Sequence, residues 1–323
     1  MRILVTGGAG FIGSHIAERL LADGHQVVVL DNESTGFAAN VPTGACYIRG
    51  DVRSPEDVER AFTALGGLDV VYHIAGQAST IKSFDDPGTD LDVNTRGTLN
   101  ILQGCIRHRV TRLLYASSMV CYGHVTQVPT PETHPCRPIS YYGITKYAAE
   151  RYVFATAERP DLDFPLNVTA FRMFNVYGER QSLSNYYQGV VTIFMANVLK
   201  GEPITIHSDG EQSRDFVYIS DVVDAWVGAL ENPRSYGEVM NLGTGTRKSI
   251  NQLVDVTLEA LGHSRADWEI RYTPVRPGDQ RHMEADISRA REILGWTPQV
   301  SFEEGMARTI RWAVSEHRRA QAK

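Results

Sequence analysis

The sequence lacks the features that mark secreted, membrane-spanning or nucleic-acid-binding proteins. Its four cysteines (Cys46, Cys105, Cys121 and Cys136) are scattered without paired metal-ligand spacing, which favours free thiols in a reducing compartment. No apolar stretch approaches the length of a membrane span, and a strand pattern that starts at Arg2 leaves no room for a cleaved signal peptide. The net charge of −6 gives no case for nucleic acid or an anionic membrane. We therefore expect a cytoplasmic protein without a metal site.

The first 31 residues contain a strand, three spaced glycines, an amphipathic helix and a second strand that ends in an acid. Gly7 permits a tight turn, Gly10 lets the backbone approach a pyrophosphate, and Gly13 lets the helix lie close to the sheet. The helix N-terminus then faces the phosphates with unpaired N–H groups. Asp31 is placed to accept the ribose hydroxyls. Glycine triplets also occur by chance in loops, but this order predicts a dinucleotide-binding unit.

The acid that ends the second strand also discriminates between cofactors. A 2′-phosphate would meet the negative charge of Asp31, and no arginine follows directly in the stretch 32–35. We therefore expect NAD rather than NADP as the cofactor.

The composition is that of an ordinary globular chain of 323 residues, with 42% hydrophobic and 22% charged residues. Short apolar segments alternate with helical ones up to about residue 174, after which loops lengthen and strands shorten. Beyond the two strands of the glycine unit, we predict strands over 45–49, 68–74, 112–117, 166–174, 204–207, 216–219 and 239–242. Helices are predicted over 54–65, 92–107, 142–159, 190–200, 220–230, 250–261 and 302–318.

This order of elements predicts an α/β fold with a doubly wound parallel Rossmann sheet. A first domain over 1–174 is expected to bind NAD. A smaller C-terminal α/β domain over 175–323 is expected to bind mainly the substrate, with segments around 215–240 returning to the first domain. The ligand crevice of such a sheet lies at the carboxyl ends of its strands.

Three polar side chains further along the chain are placed for acid–base chemistry. A strand ends at Ser117 and Ser118, and Tyr142 and Lys146 follow at i, i+4 on one helix face. The ammonium and the positive ring of an oxidised nicotinamide would bring the pKa of Tyr142 toward neutrality. Tyr142 then takes a proton from a substrate hydroxyl that Ser118 orients, while hydride leaves the adjacent carbon. An isolated Tyr–Lys pair on a helix would be interpreted as an ordinary surface feature. Because this pair follows a dinucleotide-binding unit in the same chain, it predicts a redox site.

These motifs resemble, nearly end to end, the extended short-chain dehydrogenase/reductases, and among them the nucleotide-sugar (UDP-hexose) 4-epimerases. The segments that carry the resemblance follow in the expected order. They are TGGAGFIG (6–13), DNESTG (31–36), GDVR (50–53), HIAG (73–76), DVNTRGTLN (92–100), SSMVCYG (117–123), YYGITK (141–146), FRMFNVYGERQ (171–181), DGEQSRDFVYISDVV (209–223) and RPGDQRH (276–282).

The resemblance implies a role for each matching residue. The implied catalytic residues are Ser118, Tyr142 and Lys146. The implied NAD contacts are Gly7, Gly10, Phe11, Ile12, Gly13, Asp31, Asn32, Ser34, Thr35, Asp51, Val52, Ala75, Gly76, Gln77, Asn94, Tyr142 and Lys146. The implied substrate contacts are Ser117, Ser118, Asn175, Arg214, Arg276 and Asp279. Guanidinium groups suit phosphate oxygens, although either arginine taken singly would be interpreted as a surface charge.

Relatives that share the first oxidation differ in what happens to the 4-keto sugar. Dehydratases and decarboxylating relatives carry acids directly after the catalytic serine or threonine, whereas Met119 and Val120 follow Ser118 here. The simplest remaining chemistry returns the hydride after the keto sugar has turned over. We therefore expect an isomerase that inverts carbon 4 of a nucleotide sugar, with NAD tightly bound and regenerated in each cycle. A dehydratase or decarboxylase is an alternative, and a non-catalytic NAD-binding regulatory protein is a more remote one.

The identity of the sugar is left open by the sequence. UDP is the commonest carrier in such epimerases and dTDP the second, and the stretch 180–191 resembles relatives that act on dTDP-deoxyhexoses. Met283 stands where relatives that accept an N-acetylated sugar tend to have a small residue, which disfavours an acetamido group. The choice between UDP-glucose/UDP-galactose and UDP-glucuronate/UDP-galacturonate stays open, because Ser117, Ser118 or a nearby arginine could bind a uronate carboxylate.

Two positions depart from the family pattern. Cys121 stands where Val is usual, and a buried structural thiol is favoured there over a reactive one. Tyr141 stands where Pro is commoner, but only Tyr142 has a lysine four residues later. The resemblance also implies a homodimer formed through the helices over 92–107 and 142–159.

Overall fold

The central element of the protein is a parallel sheet of seven strands. The computed structural model describes residues 1–183, 189–276 and 278–321. The strands are β1 (Arg2–Thr6), β2 (Gln26–Asp31), β3 (Cys46–Arg49), β4 (Val70–His73), β5 (Arg112–Ser118), β6 (Asn167–Met173), β7 (Asn175–Tyr177), β8 (Ile204–His207), β9 (Ser213–Arg214), β10 (Phe216–Tyr218), β11 (Glu238–Leu242), β12 (Lys248–Ser249) and β13 (Ile270–Thr273). The large sheet has the order β11-β6-β5-β4-β1-β2-β3, and every neighbouring pair in it is parallel. The predicted α/β fold with a doubly wound Rossmann sheet is confirmed.

Helices cover both faces of this sheet. They are α1 (Phe11–Ala22), α2 (Pro55–Thr63), α3 (Thr80–Asp85), α4 (Pro87–Leu91), α5 (Gly97–Arg107), α6 (Tyr141–Ala157), α7 (Val190–Lys200), α8 (Ile219–Gly228), α9 (Ile250–Ala260), α10 (Ser288–Leu294) and α11 (Phe302–Gln321). On one face, Leu20 of α1 and Trp226 of α8 belong to an apolar cluster that continues into α7, α9 and α11. On the other face, a second cluster joins Phe62 of α2, Ile101 of α5 and Val153 of α6. Both faces of the sheet are therefore buried.

The order of the strands reverses between β1 and β4. These two strands lie side by side, with Thr6 opposite His73 in register. Chain segments that leave neighbouring strands in opposite directions open a crevice at the carboxyl ends, where α/β proteins of this kind bind ligands. The glycine turn after β1 and the loop after β4 therefore border the same crevice.

Local sequence explains where two important helices begin. Ser140 precedes α6, and its Oγ accepts the N–H of Gly143 at 3.1 Å. Ser54 caps α2 in the same way by accepting the N–H of Asp57 at 3.1 Å, with Pro55 as the first helical residue. The sequence predicts both helix starts to within about one residue, because capping side chains act over only three positions.

The helix predicted over 92–107 is interrupted at its beginning. Residues Asp92–Arg96 form one π-helical turn, and α5 begins only at Gly97. Gly97 packs against the next layer so closely that a Cβ on it would lie 2.6 Å from Val52 Cγ2. Such turns cluster at functional sites and leave the apolar periodicity almost unchanged, so the sequence pattern does not reveal them. The strands β7, β9, β12 and β13 and the helices α3, α4 and α10 also lie outside the predicted elements, because segments this short give only a weak periodic signal.

The longest helix, α11, is amphipathic rather than uniformly apolar. Its buried residues include Met306, Ile310 and Ala313, which recur at helical spacing. Arg318 and Arg319 in its last turn complement the helix dipole. Across the described residues, no helix is both long enough and apolar enough to cross a membrane.

Candidate active site

A cleft of about 920 Å³ runs along the carboxyl ends of the strands. Both halves of the chain contribute to its walls, including the loops that follow β1, β2, β4 and β5. Nearly all of the site residues expected from the sequence border it. They are Gly7, Gly10, Phe11, Ile12, Gly13, Asp31, Asn32, Ser34, Thr35, Asp51, Val52, Ala75, Gly76, Gln77, Ser117, Ser118, Tyr142, Lys146, Asn175, Arg214, Arg276 and Asp279. Asn94 is the exception.

The glycine turn at one end of the cleft leaves no room for side chains. Gly7 has a φ of +70°, and a Cβ on it would lie 2.9 Å from the backbone nitrogen of Ala75 in the loop after β4. A Cβ on Gly13 would lie 2.2 Å from the carbonyl oxygen of Gly7. The helix α1 that follows has no side-chain cap on its first turn. Its N–H groups therefore remain available to an anion in the cleft.

Two carboxylates, those of Asp31 and Asp51, line the cleft where the adenosine of the dinucleotide is expected. Asp31 accepts the backbone N–H groups of Glu33 at 2.7 Å and Ala9 at 3.0 Å. Burial raises the pKa of Asp31, although these two bonds act in the opposite direction. A carboxylate has about four lone-pair sites, so roughly two remain for ribose hydroxyls. Burial would also raise the pKa of Asp51, but hydrogen bonds from Arg53 and Asn32 prevail and lower it to about 2.

Ser118, Tyr142 and Lys146 meet at the floor of the cleft. Burial raises the pKa of Tyr142 to about 12, and a hydrogen bond with Ser118 offsets only part of this effect. Burial lowers the pKa of Lys146 to about 8, and the ammonium lies 4.4 Å from the ring centroid of Tyr115. The expectation that Lys146 helps to bring the phenol pKa toward neutrality is therefore not met by the protein residues. Burial dominates the pKa of Tyr142, and the protein group that lowers it is Ser118, so the positive charge of an oxidised nicotinamide would have to supply the remaining shift.

Asn94, expected near the nicotinamide ribose, lies behind the wall of the cleft. It is 1% exposed, and its Oδ1 accepts the backbone N–H of Gln77 at 2.8 Å. Its Nδ2 donates to the carbonyl oxygen of Gln77 at 3.1 Å. Asn94 therefore holds the loop after β4 in place, because both ends of its amide are bonded to that loop.

Ser117 borders the cleft, but its side chain does not offer a donor to a ligand. The Ser117 Oγ donates to Glu150 Oε2 at 2.6 Å, and Glu150 forms a buried ion pair with Arg172 at 2.6 Å. A serine hydroxyl has one hydrogen, which this bond uses. The expectation that Ser117 binds a substrate carboxylate is therefore not supported.

The other end of the cleft contains the arginines expected to hold a diphosphate. Arg214 is 9% exposed, forms an ion pair with Asp279 and donates to the carbonyl oxygen of Ser213 at 2.8 Å. Burial lowers the pKa of Arg214 and that of Arg276, and Asp279 opposes the shift in both. A diphosphate would supply negative charge to these partly desolvated cations.

Four polar atoms in the cleft point to ligand contacts, and only one of them, on Asn175, belongs to a residue that the sequence analysis had named. Within the described ranges, six buried side-chain polar atoms lack a hydrogen-bond partner, and four of these belong to residues that line the cleft. They are Asn175 Oδ1, Arg180 Nη1, Gln181 Oε1 and Gln212 Oε1. Buried polar groups without partners are costly, so their concentration here fits a site completed by a ligand. Arg180 and Gln181 lie within the motif FRMFNVYGERQ (171–181), which carries the family resemblance. That motif was the sequence signal from which these two contacts could have been found.

Two specificity expectations find no support in this arrangement. Met283 is fully buried in the larger apolar cluster and is not among the lining residues, so its bulk does not argue against an acetamido group. The stretch likened to relatives acting on dTDP-deoxyhexoses includes residues 184–188, which lie outside the described residues.

Comparison with known proteins assigns the chain to a family. Residues 3–243 match the NAD dependent epimerase/dehydratase family. The chain belongs to this family. It is 39% identical over 314 residues to a UDP-glucose 4-epimerase from Mycolicibacterium smegmatis, covering 96% of this chain and 97% of that relative.

Two solved structures of family members have the same fold. A UDP-glucose 4-epimerase of Thermotoga maritima with UDP-glucose superimposes with a TM-score of 0.91 at 39% identity, covering 98% of this chain and 99% of the other. A Thermus thermophilus UDP-glucose 4-epimerase complexed with NAD gives a TM-score of 0.89 at 39% identity, covering 97% and 99%. The resemblance to nucleotide-sugar epimerases inferred from the motifs is thereby confirmed.

The cofactor of this family member is NAD, and the cleft fits it. The side-chain-free glycine turn leaves room for a pyrophosphate, and Asp31 combines spare acceptor sites with a charge that repels a 2′-phosphate. The family and its structures support an NAD-dependent nucleotide-sugar epimerase, with the sugar undefined.

Proposed function

We propose that the protein inverts carbon 4 of a UDP-hexose, interconverting UDP-glucose and UDP-galactose. The observation that carries the proposal is the group formed by Ser118, Tyr142 and Lys146 at the floor of a cleft with diphosphate-binding chemistry at one end. The relatives described above are named UDP-glucose 4-epimerases, and one of their structures contains UDP-glucose.

The chain's own residues would manage the proton of the reacting hydroxyl. Bound NAD supplies the oxidising and reducing power, accepting hydride from carbon 4 and returning it to the opposite face. Tyr142 removes the hydroxyl proton and gives it back, which requires its pKa to fall from the raised value of the buried phenol. Ser118, hydrogen-bonded to Tyr142, orients the same hydroxyl. Lys146 supplies a fixed positive charge beside them.

The lining of the cleft favours epimerisation over elimination or decarboxylation. The acidic residues among the described lining are Asp31, Glu33, Asp51 and Asp279, which stand at the cofactor and diphosphate ends. Met119 and Val120 line the wall beside Ser118. An elimination needs a further acid or base next to the sugar, so return of the hydride is the chemistry that this wall supports.

A neutral hexose fits the polar groups near Ser118 better than a uronate does. A carboxylate at carbon 6 needs charged or hydroxyl donors, and Ser117 is already bonded to Glu150. Among the lining cations, Arg53 is paired with Asp51, and Arg180 is paired with Glu18 through Nη2. A uronate would therefore depend on Arg180 Nη1 or on Lys82 for a charged donor. UDP-glucuronate is therefore the second candidate substrate, and dTDP-hexoses are the third.

The experiment that tests the proposal is incubation of the protein, without added NAD, with UDP-glucose, UDP-glucuronate, UDP-N-acetylglucosamine and dTDP-glucose. Proton NMR then reports the configuration at carbon 4. We expect UDP-galactose from UDP-glucose, and NAD recovered in the oxidised form after denaturation. Equal turnover of UDP-glucuronate would broaden the proposal. A 4-keto, unsaturated or decarboxylated product would overturn it.

We also propose that the protein is a cytoplasmic homodimer formed through α5 and α6. Tyr141, Ile144 and Tyr152 are 45%, 49% and 46% exposed, and their spacing along α6 places them on one side of the helix. Exposed apolar and aromatic side chains grouped on one face are typical of association surfaces.

A further inference from the structure

A buried carboxylate behind the cleft has no part in the chemistry described above. Asp90 in α4 is 0% exposed and does not line the cleft. Its Oδ1 accepts Gln77 Nε2 at 2.7 Å and Asn94 Nδ2 at 3.1 Å, and its Oδ2 accepts Thr145 Oγ1 at 2.6 Å. Three donors thus converge on one carboxylate. Burial raises the pKa of Asp90, and the hydrogen bonds from Thr145 and Gln77 oppose that shift by favouring the ionised form.

The three donors come from three separate parts of the wall. Gln77 belongs to the loop after β4, which borders the cleft, and Asn94 lies in the π-helical turn. Thr145 immediately precedes Lys146 on α6. A Cβ built on Gly76 would lie 3.0 Å from Asn94 Oδ1 and 3.7 Å from Lys146 Nζ. The carboxylate therefore ties the helix that carries Tyr142 and Lys146 to the loop against which the ammonium rests.

Asp90 differs from the other acidic group near Lys146 because its negative charge has no ion-pair partner among the residues that the structure describes. The titratable groups around the ammonium come from five parts of the fold, and they are His73, Asp90, Tyr115, Cys121 and Glu150. Tyr142 lies one helical turn before Lys146 on α6. Glu150 is already neutralised by Arg172, 2.6 Å away. Within the described part of the chain, Asp90 forms no ion pair within 4 Å, so its charge is not cancelled locally.

We propose that Asp90 is a positioning residue, whose buried carboxylate fixes Gln77, Asn94 and Thr145 in one arrangement and keeps Lys146 charged beside Gly76. The inference rests on the proposed function insofar as Lys146 serves the reaction, but the arrangement of the residues does not depend on the sugar.

The electrostatics of the buried groups give the sign of the expected effect. Burial lowers the pKa of Lys146 to about 8, and Asp90 is among the groups that oppose this shift. Burial raises the pKa of Tyr142, and Asp90 adds to that shift. Removing the charge of Asp90 therefore lowers both pKa values. Lys146 is cationic below its pKa, so a variant without the charge loses the ammonium at a lower pH.

The direct test is the titration of Lys146 in Asp90→Asn, with Asp86→Asn as the matched control. Asp86 is a solvent-exposed carboxylate next to the same short helix, and its capping bond to the N–H of Thr89 at 3.0 Å survives the change to Asn. The chain has five lysines, so ¹³C-lysine NMR gives few signals, and Lys146→Arg assigns the relevant one. We expect the midpoint of Lys146 to fall by about one pH unit in Asp90→Asn and to stay unchanged in Asp86→Asn.

Activity profiles give a second, separable measurement. Both limbs of the pH–kcat profile should move to lower pH in Asp90→Asn, whereas a merely structural role would lower kcat at every pH without moving either limb. A folded Asp90→Asn with an unchanged Lys146 midpoint would overturn the inference. A shifted midpoint in a protein that epimerises no sugar would overturn the proposed function alone.

A variant that keeps the charge covers the case in which Asp90→Asn fails to fold. Thr145→Val removes the 2.6 Å donor but leaves the carboxylate. We expect less NAD to remain bound per subunit after gel filtration, with the Lys146 midpoint close to that of the unmodified protein. Full retention of NAD by Thr145→Val would contradict the positioning role.

Discussion

At the scale of the residue, the proposed chemistry depends on one of two adjacent phenols. Tyr142 is 9% exposed, and it hydrogen-bonds to Ser118, whereas Tyr141 is 45% exposed on the outside of the same helix. Tyr142→Phe removes the group proposed to move the proton, so kcat should fall by about 10²- to 10⁴-fold. Affinity for UDP should stay the same, because the diphosphate end of the cleft is untouched. Initial rates and UDP titrations measure both effects.

The neighbouring phenol supplies the control for that substitution. Tyr141→Phe makes the same chemical change one residue away and should leave the turnover rate within about twofold, since the side chain lies outside the cleft. Equal losses in the two variants would show that the assignment of the phenol is wrong.

At the scale of the element, α6 is positioned by its first residues. Ser140 Oγ accepts the N–H of Gly143, next to Tyr142. Ser140→Ala should lower the free energy of unfolding by about 1 kcal/mol and also lower kcat, because fraying of this turn displaces the phenol. Ser54→Ala removes the equivalent cap of α2. It should cost similar stability in chemical denaturation and leave kcat unchanged. If Ser140→Ala lowered the free energy of unfolding but left kcat unchanged, the proposal that this cap positions Tyr142 would be contradicted.

A buried ion pair fixes the same helix to the sheet. Glu150 of α6 accepts Arg172 Nη2 of β6 at 2.6 Å, with side-chain exposures of 2% and 7%. Glu150→Gln leaves the Arg172 charge buried without its partner and should destabilise the fold by about 3 kcal/mol. Asp163→Asn breaks the exposed pair with Arg109 and should change stability by no more than about 0.5 kcal/mol. Urea denaturation compares the two, and similar losses would refute the role given to burial.

At the scale of the whole molecule, the exposed face of α6 predicts association. Ile144→Asp places a charge on that face, and we expect light scattering to show a monomer where the unmodified protein is a dimer. Tyr272→Asp, at a side chain that is 54% exposed on β13, is the control and should leave the dimer intact. If light scattering showed that the unmodified protein is a monomer, the proposal of a homodimer would be wrong.

The fold and the cofactor end of the site could be predicted from the sequence because their signals are local. A strand, a glycine turn, a helix and an acid follow within 31 residues, and each imposes its geometry on neighbours in the chain. The i, i+4 spacing of Tyr142 and Lys146 is local in the same sense.

The groups behind the cleft could not be predicted in that way. The bonds of Asp90 to Gln77 and Thr145, and of Ser117 to Glu150, join segments 13 to 55 residues apart. Only folding decides which of these polar groups lose water together and must therefore bond to one another. The same holds for Met283, whose burial depends on the packing of distant helices.

The sequence by itself determined the parallel sheet and the preference for NAD, and it singled out the candidate phenol and ammonium, because short-range pattern and charge are sufficient for these. The tertiary structure decided that Asn94 and Asp90 support the wall of the cleft and that Ser117 is unavailable to a ligand. It also decided that burial raises the pKa of Tyr142 and lowers that of Lys146. Desolvation depends on what surrounds a group in space, which no spacing along the chain specifies.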